Sequence, residues 1–285
     1  MSPTAYVNGA YVALAAAGVS ILDRGFQFGD AIYEVWAVRD GRLFDRDAHM
    51  RRLQRSLGEL RIKAPMSEAA LWAVIAETAR RNRVRNGIVY VQISRGAAPR
   101  DHVFPNPPVK PTLIVTAKNL DRAAIDKRAL AGVKVISLPE QRWARCDIKS
   151  VNLLPNVLAR QQAREAGAFE VWFVDSDGFV TEGASSNAFI VDAQGRLRTP
   201  ALSNHILHGV TRAALIEIAR QRQMPVLEQP FTLAEAKTAR EAFISAASNP
   251  AIAVVSLDGA EIGDGKPGPV AVALRAAYLG AGSEI

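Results

Sequence analysis

The sequence predicts an α+β protein of two domains. Segments of strand length that are rich in Val, Ile, Tyr and Trp occur in both halves of the chain, and segments with apolar residues at helical spacing lie between them. A polar stretch, "KNLDRAAIDKR", interrupts this pattern near the middle. We therefore expect an N-terminal α/β domain over residues 1–120, an interdomain linker over residues 121–127, and a C-terminal domain over residues 128–285.

The first regular structure predicted in the N-terminal half is a β-hairpin. In "AIYEVWAVRDGRLF" a strand-like run is followed by Asp40-Gly41, a dipeptide that favours the tight turn of a two-residue hairpin. The runs "GIVYVQIS" and "PTLIVTA" are apolar and of strand length, which predicts two more strands that are largely buried.

Two helices are predicted between these strands. Asp47 is the candidate N-cap of the first, and a second helix is expected from Ser67, with Glu68 in its first turn. The first helix spans "AHMRRLQRSLGEL", and its apolar face comprises Met50, Leu53, Leu57 and Leu60.

The C-terminal half alternates strands with turns and one long helix. The turns are expected at Asp177-Gly178 and Gln194-Gly195, and the helix over "GVTRAALIEIARQR". The strands are expected at "GVKVISL", "EVWFVD", "NAFIVD" and "EAFIS".

The net charge of +7 and the pI near 9.8 raise the hypothesis of nucleic-acid binding. The densest basic cluster, "RRNRVRNG", follows the apolar rhythm of a predicted helix, where cations complement the helix dipole. No aromatic residue is interleaved with this cluster to stack on bases. The pattern therefore favours a solvated helix end over a nucleic-acid partner.

Composition also bears on compartment and metal binding. The sequence contains no apolar run of 18 residues, so no membrane association is expected. The single cysteine, Cys146, excludes an internal disulfide framework and is typical of a cytoplasmic protein. No cluster of Cys, His and acidic residues has metal-ligand spacing, so no catalytic metal is expected.

Lys149, in "RCDIKSVNLLPN", is a candidate nucleophile. The chain contains 8 Lys among its 35 basic residues. The segment around Lys149 supplies the cations Arg142 and Arg145 and apolar residues such as Ile148 and Val151. Desolvation and neighbouring cations lower the pKa of a lysine and prepare it for Schiff-base chemistry. The alternative is an ordinary ion pair with Asp147, and the lysine alone does not decide between them.

Two further segments contain residues of the kinds that a pyridoxal phosphate site needs. Such a site needs a carboxylate for the pyridine nitrogen and donors for a phosphate. In "VTEGASSNAFIV", Glu182 precedes a small-residue turn containing Ser185; in "LHGVTRAAL", Val210 and Thr211 open a helix whose N-terminus suits an anion. Taken alone, the second segment favours a capped surface helix.

Taken together, five motifs carry a resemblance to a known family. The ordered set "DRGFQFGDAIYEV", "RGAAPRDHVFP", "RCDIKSVNLL", "TEGASSNAF" and "ILHGVTR" resembles the D-amino acid transaminases of the fold-type IV pyridoxal-phosphate enzymes. "TEGxSSN" and "GxTR" are shared across that family, whereas "RCDIKS" and "PRDH" are similar to its D-amino acid branch. The resemblance implies a smaller N-terminal α/β domain and a larger, β-barrel-like C-terminal domain with helices.

The resemblance implies roles for residues around the cofactor, pyridoxal 5′-phosphate. Lys149 would form the Schiff base and transfer the substrate proton, and Glu182 would pair with the pyridine nitrogen. Arg52 would contact the phosphate, with His49 beside it as a supporting or structural residue. Further contacts are implied for Leu207, Val210, Thr211, Ala246 and Ala247. Relatives often have Ser and Thr at the last two positions, so we expect weaker cofactor binding here, by about 1 kcal/mol for each lost donor.

The resemblance also implies how a substrate is bound. Tyr33, Arg100 and His102 would hold its carboxylate, the last two from the neighbouring subunit of a homodimer. Ser185 would lie near the substrate, and Arg142 at the pocket mouth. The implied reaction moves the amino group of D-alanine, D-glutamate or D-aspartate to a 2-oxo acid such as pyruvate or 2-oxoglutarate.

Four other functions remain open at the level of sequence. Three belong to the same family: a branched-chain L-amino acid transaminase, an (R)-amine transaminase and an aminodeoxychorismate lyase. The fourth is a non-enzymatic basic binding protein that retains the fold.

Overall fold

The computed structural model describes residues 3–280, which divide into two compact units. Unit 1 contains residues 3–122 together with residues 148–152, and unit 2 contains residues 123–147 and 153–280. Each unit has its own β-sheet and its own hydrophobic core. The short segment that carries Lys149 therefore belongs to unit 1, although the chain on both sides of it belongs to unit 2.

Unit 1 is an antiparallel sheet of six strands in the order β2-β1-β6-β5-β3-β4, with helices packed on it. The strands are β1 (Thr4–Val7), β2 (Ala10–Ala13), β3 (Ala31–Arg39), β4 (Arg42–Leu43), β5 (Gly87–Ser94) and β6 (Thr112–Asn119). The helices are α1 (Arg24–Phe28), α2 (Arg46–Glu59) and α3 (Glu68–Arg81), and a 3₁₀ turn covers Leu14–Ala16.

The core of unit 1 follows from the alternation of side chains along β3. Ile32, Trp36 and Val38 face α2 and α3 and are buried, because residues two apart share a face of the sheet. Met50 and Leu53 of α2 complete this core. The predicted hairpin at Asp40-Gly41 and the two predicted central strands are confirmed.

Of the two helix starts predicted in unit 1, that of α3 is confirmed and the cap of α2 is wrong. Ser67 caps α3, and its hydroxyl accepts from the N–H of Ala70, as expected. Asp47 is not the cap of α2, because the helix begins at Arg46 and Asp47 lies in its first turn. Asp45 occupies the N-cap position with φ of 52°, in the left-handed region that Asp tolerates, so the chain reverses after β4 and enters the helix earlier.

Unit 2 contains a nine-stranded mixed sheet and five helices among its described residues. The strand order is β12-β11-β10-β13-β14-β7-β8-β9, with β15 paired to β14. The strands are β7 (Val133–Pro139), β8 (Glu170–Val174), β9 (Val180–Gly183), β10 (Asn187–Val191), β11 (Leu197–Thr199), β12 (Val226–Glu228), β13 (Glu241–Ala246), β14 (Asn249–Leu257) and β15 (Ala260–Glu261). The helices are α4 (Arg122–Ala131), α5 (Leu154–Glu165), α6 (Val210–Gln221), α7 (Leu233–Lys237) and α8 (Pro269–Gly280).

Both faces of the unit 2 sheet are covered. Phe189 and Phe243 stack at 4.7 Å between ring centroids on the face that packs on α6 and α8. Trp172 and Phe231 belong to the core on the other face. β9, at the end of the strand path, also contacts β10, so the sheet is curled. The predicted strands and the predicted helix α6 are confirmed, whereas residues 121–127 fall mostly within α4.

The basic cluster near residue 80 lies at the C-terminal end of α3, where a cation complements the helix dipole. Arg80 and Arg81 both donate to Glu77, and Arg81 also lies 4.0 Å from the ring centroid of Tyr11. The cluster therefore has local structural partners. Across residues 3–280, no helix combines the length and the hydrophobicity needed to cross a bilayer.

Candidate active site

Lys149 is anchored to the strand that carries Tyr33. The N–H of Tyr33 donates to the carbonyl of Lys149 at 2.9 Å, and the N–H of Val151 donates to the carbonyl of Ala31 at 3.1 Å. Residues 148–152 thus run beside the start of β3 and extend the hydrogen bonding of unit 1. The backbone of the candidate nucleophile is held by a sheet rather than by a free loop.

The side chain of Lys149 lies over an aromatic ring. Its Nζ is 4.2 Å from the ring centroid of Tyr33, which in turn stacks on Tyr90 at 5.6 Å. Burial raises the pKa of Tyr90 to about 12, and its hydroxyl donates to Gln92. Asp147, the alternative ion-pair partner, accepts two hydrogen bonds from Arg145 at 2.9 and 3.0 Å. The structure therefore brings together two of the predicted residues, Lys149 and Tyr33.

Arg52 points into a buried polar cluster within unit 1. Its Nε and Nη2 donate to the two carboxylate oxygens of Glu34 at 2.9 and 2.6 Å, and His49 Nδ1 lies 2.9 Å from Glu34 Oε1. Burial alone raises the pKa of Glu34, but Arg52 and His49 outweigh it and hold that pKa far below its ordinary value. Glu34 therefore orients the predicted phosphate ligand. The sequence reasoning missed it, although strand alternation puts it on the same face as Ile32 and Trp36.

Arg100 and His102 lie on an exposed loop of unit 1 that follows β5. The guanidinium of Arg100 lies 5.0 Å from the ring centroid of Phe28, and the ring of His102 lies 5.4 Å from the same ring. Phe28, at the end of α1, thus contacts both predicted carboxylate ligands.

Glu182 is the centre of a hydrogen-bond network in unit 2. It is buried, and its Oε1 accepts from Arg142 Nη1 at 2.6 Å and from the N–H of Leu207 at 3.0 Å, while its Oε2 accepts from Asn187 Nδ2 at 2.9 Å. Burial raises the pKa of Glu182, opposed by the charge of Arg142 and by these hydrogen bonds. Asn187 also donates to the carbonyl of Leu207 at 3.0 Å. The carboxylate and Leu207 are therefore fixed relative to one another.

Arg142 is shared between two carboxylates. Its Nε and Nη2 form a bidentate pair with Glu140 at 2.9 and 2.7 Å, and its Nη1 donates to Glu182. Glu140 also accepts from the hydroxyl of Thr181 at 2.9 Å. One cation faces two anions, so the pair with Glu140 limits how much of the Arg142 charge neutralises Glu182. The sequence reasoning placed Arg142 at a pocket mouth and did not identify Glu140.

Ser185 lies in the tight turn that follows Glu182. Its hydroxyl donates to Glu170 at 2.6 Å, and Ser186 donates to the same oxygen at 3.1 Å. Gly183 is required here, because a Cβ at this position would clash with Ser186 Oγ. The turn is therefore rigid, and Ser185, which is exposed, is held at its surface by a buried carboxylate.

The N-terminus of α6 offers free backbone donors. Val210 and Thr211 are in its first turn, whose N–H groups have no acceptor within the helix. The N-cap is Gly209, which has no side chain to cap them. A Cβ at Gly209 would clash with Asn187 Oδ1, so glycine allows the close approach of β10 to this end of α6.

Ser245, near the end of β13, shows whether the residues near the start of α6 suit a phosphate. It pairs with Asn187 of β10, so both lie on the face of the sheet that packs on α6. Its Oγ is buried and has no hydrogen-bond partner within residues 3–280. Ala246 and Ala247 follow and are partly exposed. A spare hydroxyl donor beside an uncapped helix N-terminus fits a phosphate.

In the part of the chain that the structure describes, no group of three or more His, Cys, Asp and Glu side chains is arranged to hold an ion.

Known proteins of two kinds are similar to this chain. The family model for amino-transferase class IV matches residues 31–257. The D-alanine aminotransferase of Staphylococcus haemolyticus is 39% identical over 274 residues, 96% of this chain and 95% of that protein. The D-alanine aminotransferase of Bacillus licheniformis is 39% identical over 263 residues, 92% and 91% of the two chains.

Solved structures with the same fold include branched-chain amino acid aminotransferases. That of Escherichia coli has a TM-score of 0.91 and 25% identity, over 99% of this chain and 95% of that one. That of T.th., with pyridoxamine 5′-phosphate, has a TM-score of 0.88 and 27% identity, over 98% and 93%. These matches argue against the alternative of a non-enzymatic basic binding protein. The chain belongs to the class IV aminotransferases, pyridoxal-phosphate-dependent enzymes of fold type IV.

Proposed function

We propose that this aminotransferase acts on D-amino acids of the alanine, glutamate and aspartate type and passes their amino group to pyruvate or 2-oxoglutarate. The observation that carries the proposal is a difference in similarity. The D-alanine aminotransferases of Staphylococcus are 36–39% identical to this chain, whereas the branched-chain enzymes of Escherichia coli and T.th. are 25–28% identical. The "RCDIKS" and "PRDH" elements favour the same branch.

In this proposal Lys149 holds the cofactor and moves the substrate proton. When bound, pyridoxal phosphate supplies a carbonyl group for the substrate amine and a ring that withdraws the electrons released at Cα. The Nζ of Lys149 removes the proton from that Cα. The hydrogen bond that the N–H of Tyr33 donates to the carbonyl of Lys149, and the Tyr33 ring beneath Nζ, restrict the positions that the amine can reach.

Glu182 is proposed to face the pyridine nitrogen. Its position is supported by Asn187 and by the N–H of Leu207, which leave the carboxylate little freedom to rotate. Arg142 opposes the effect of burial and favours the ionised form of Glu182, and because the same guanidinium is also paired with Glu140, the cluster holds two carboxylates for one cation, which suits a protonated ring nitrogen. Leu207, fixed by the same bonds, is the proposed packing surface for the ring.

The phosphate is proposed to bind at the first turn of α6. The N–H groups of Val210 and Thr211 act as donors, together with the backbone of Ala246 and Ala247. Arg52, oriented by Glu34, is the proposed cationic ligand.

The substrate carboxylate is proposed to bind Tyr33 together with Arg100 and His102, with Ser185 and Arg142 as further substrate contacts. We place Arg100 and His102 in a neighbouring subunit of a homodimer. An apolar surface supports such a contact: Ile21 and Phe26 are exposed just before and within α1, and Val103 is exposed on the loop to which Arg24 of α1 donates a hydrogen bond. A single buried free thiol, Cys146, supports a reducing compartment such as the cytoplasm.

Stereochemistry follows from where the carboxylate is held. A clamp on one side of the substrate allows only one of its enantiomers to present the Cα hydrogen to Lys149 Nζ. The test is the visible absorption of the purified holoenzyme during separate additions of D-alanine and L-alanine. Bleaching by D-alanine alone is expected, and bleaching by L-alanine would contradict the carboxylate assignment.

The role of Lys149 is tested by Lys149→Ala, with Lys63→Ala as the matched control. Lys63 is an exposed lysine of the same unit. After borohydride reduction, we expect covalently attached cofactor in the wild type and in the control, and none in Lys149→Ala. Attachment in Lys149→Ala would show that another amine holds the cofactor.

A further inference from the structure

Arg24, the first residue of α1, is a buried cation that the chemistry proposed above does not use. Its side chain is 4% exposed, and its Nε donates to Asp30 Oδ2 at 2.8 Å. A buried guanidinium is costly unless its donors are satisfied, so the acceptors of the remaining donors indicate what it stabilises.

The remaining donors of Arg24 all reach one loop. Nη1 donates to the carbonyl of Asp101 at 2.5 Å and to that of Val103 at 3.3 Å. Nη2 donates to the carbonyl of His102 at 3.3 Å. Three successive carbonyl groups of the chain thus accept from a single side chain.

That loop carries the proposed ligands of the substrate carboxylate. Residues 100–104 are exposed and lie in neither a helix nor a strand. Arg24 also places its guanidinium 4.9 Å from the ring centroid of Phe28, the ring that contacts Arg100 and His102 on the side of the loop. Arg24 therefore supports the loop in two ways: it binds the carbonyl groups of residues 101–103, and it packs on the Phe28 ring that contacts the side chains of Arg100 and His102.

We propose that Arg24 is a positioning residue for substrate binding, which fixes the backbone of residues 101–103 so that Arg100 and His102 are pre-arranged for a carboxylate. The inference rests on the proposed function and adds a specificity determinant outside the binding site. Without this support the loop must be ordered when substrate binds, and the loss of backbone freedom opposes binding. The expected effect is therefore on KM rather than on kcat.

A matched control is present in the same cluster. Arg95 donates to Asp30 at 2.7 and 2.9 Å, so it shares the anion that pairs with Arg24. Its other hydrogen bonds reach the carbonyl groups of Leu60 and Arg61, and its guanidinium lies 3.5 Å from the ring centroid of Phe104, after the three carbonyl groups that Arg24 binds. A change at Arg95 disturbs Asp30 without removing a bond to residues 101–103.

The test compares Arg24→Lys with Arg95→Lys in the holoenzyme. Lysine keeps the charge but cannot reproduce the forked donor geometry of arginine. For Arg24→Lys we expect KM for D-alanine to rise about ten-fold or more, with kcat and the absorption of the bound cofactor little changed. Amide hydrogen exchange over residues 101–103 should become faster. For Arg95→Lys we expect a near-wild-type KM and unchanged exchange over residues 101–103.

Three results would overturn the proposal. An unchanged KM in Arg24→Lys would show that the loop is arranged without Arg24. An equal rise of KM in Arg95→Lys would show that the effect comes from general destabilisation. Loss of bound cofactor in Arg24→Lys would show the same. If wild-type enzyme fails to react with D-alanine, the proposed function itself is wrong, and that result is distinct because no variant is needed to see it. Where Arg24→Lys does not fold, Arg24→Gln with the same exchange measurement replaces it.

Discussion

Replacing the buried carboxylate of Glu34 should destabilise the protein more than any surface charge change. Glu34 is fully buried and accepts hydrogen bonds from Arg52 and His49. Glu34→Gln keeps the size of the side chain and one acceptor oxygen, but removes the negative charge that faces the Arg52 cation. Removing one partner of a buried ion pair costs about 3–5 kcal/mol, and we expect the lower end because the amide oxygen still accepts.

Guanidinium unfolding, followed by circular dichroism and tryptophan fluorescence at fixed protein concentration and with excess cofactor, measures this loss. Trp36 lies 5.5 Å from the ring of His49 and reports on unit 1. The control is Glu77→Gln, because Glu77 also accepts from two arginines but lies at the surface, where such pairs contribute little. A loss in Glu34→Gln no larger than that in the control would refute the reasoning.

The pH dependence gives an independent check. The folded pKa of Glu34 is depressed below the unfolded value of 4.5, so its contribution is fully present above that pH and is lost as the pH falls toward the folded pKa. The stability difference between wild type and Glu34→Gln should therefore be largest near neutral pH and shrink in acid. A difference that stays constant through this range would show that the effect comes from packing and not from charge.

Three other changes have defined outcomes. Ser245→Ala should weaken cofactor binding about five-fold, because one neutral donor worth about 1 kcal/mol is lost. Ser248→Ala is the control, because the Ser248 hydroxyl already accepts from Asn249, and it should bind the cofactor normally. Spectrophotometric titration of the apoenzymes measures both, and equal dissociation constants would contradict the assignment of Ser245. Burial raises the pKa of Cys146 to about 12, so native protein should resist alkylation by iodoacetamide at neutral pH and react once unfolded; rapid labelling of the folded enzyme would contradict this. Phe231→Ala should lower the free energy of unfolding by about 3–5 kcal/mol, because its ring is fully buried against Trp172. Thermal unfolding measures this loss, and an unchanged melting temperature would show that the core collapses around the cavity.

Local patterns in the sequence were sufficient for most elements of the fold. The strand at residues 87–94, the turn at Asp40-Gly41 and the helix opening at Val210 occur where periodicity and turn chemistry predict them. These features depend on the conformations of neighbouring residues, which the sequence displays directly. The start of α2 was missed because the left-handed conformation of Asp45 follows from the path of the chain after β4, and no local pattern marks it.

The candidate site divides in the same way. Lys149, Glu182 and the opening of α6 were found from short motifs, because their residue types are those that the cofactor chemistry requires. The partners that orient them were not found. Glu34 lies 18 residues from Arg52, Glu182 lies 40 residues from Arg142, and Arg24 lies 77 residues from the carbonyl that it binds.

By itself, then, the sequence determined the kind of chemistry and the elements that carry it. Only the tertiary structure decided which carboxylate orients Arg52, which anion shares Arg142, and which cation holds the loop of Arg100 and His102. The physical reason is that a side chain's reactivity is set by its residue type, whereas its orientation and charge balance depend on burial and on partners that folding brings from distant parts of the chain.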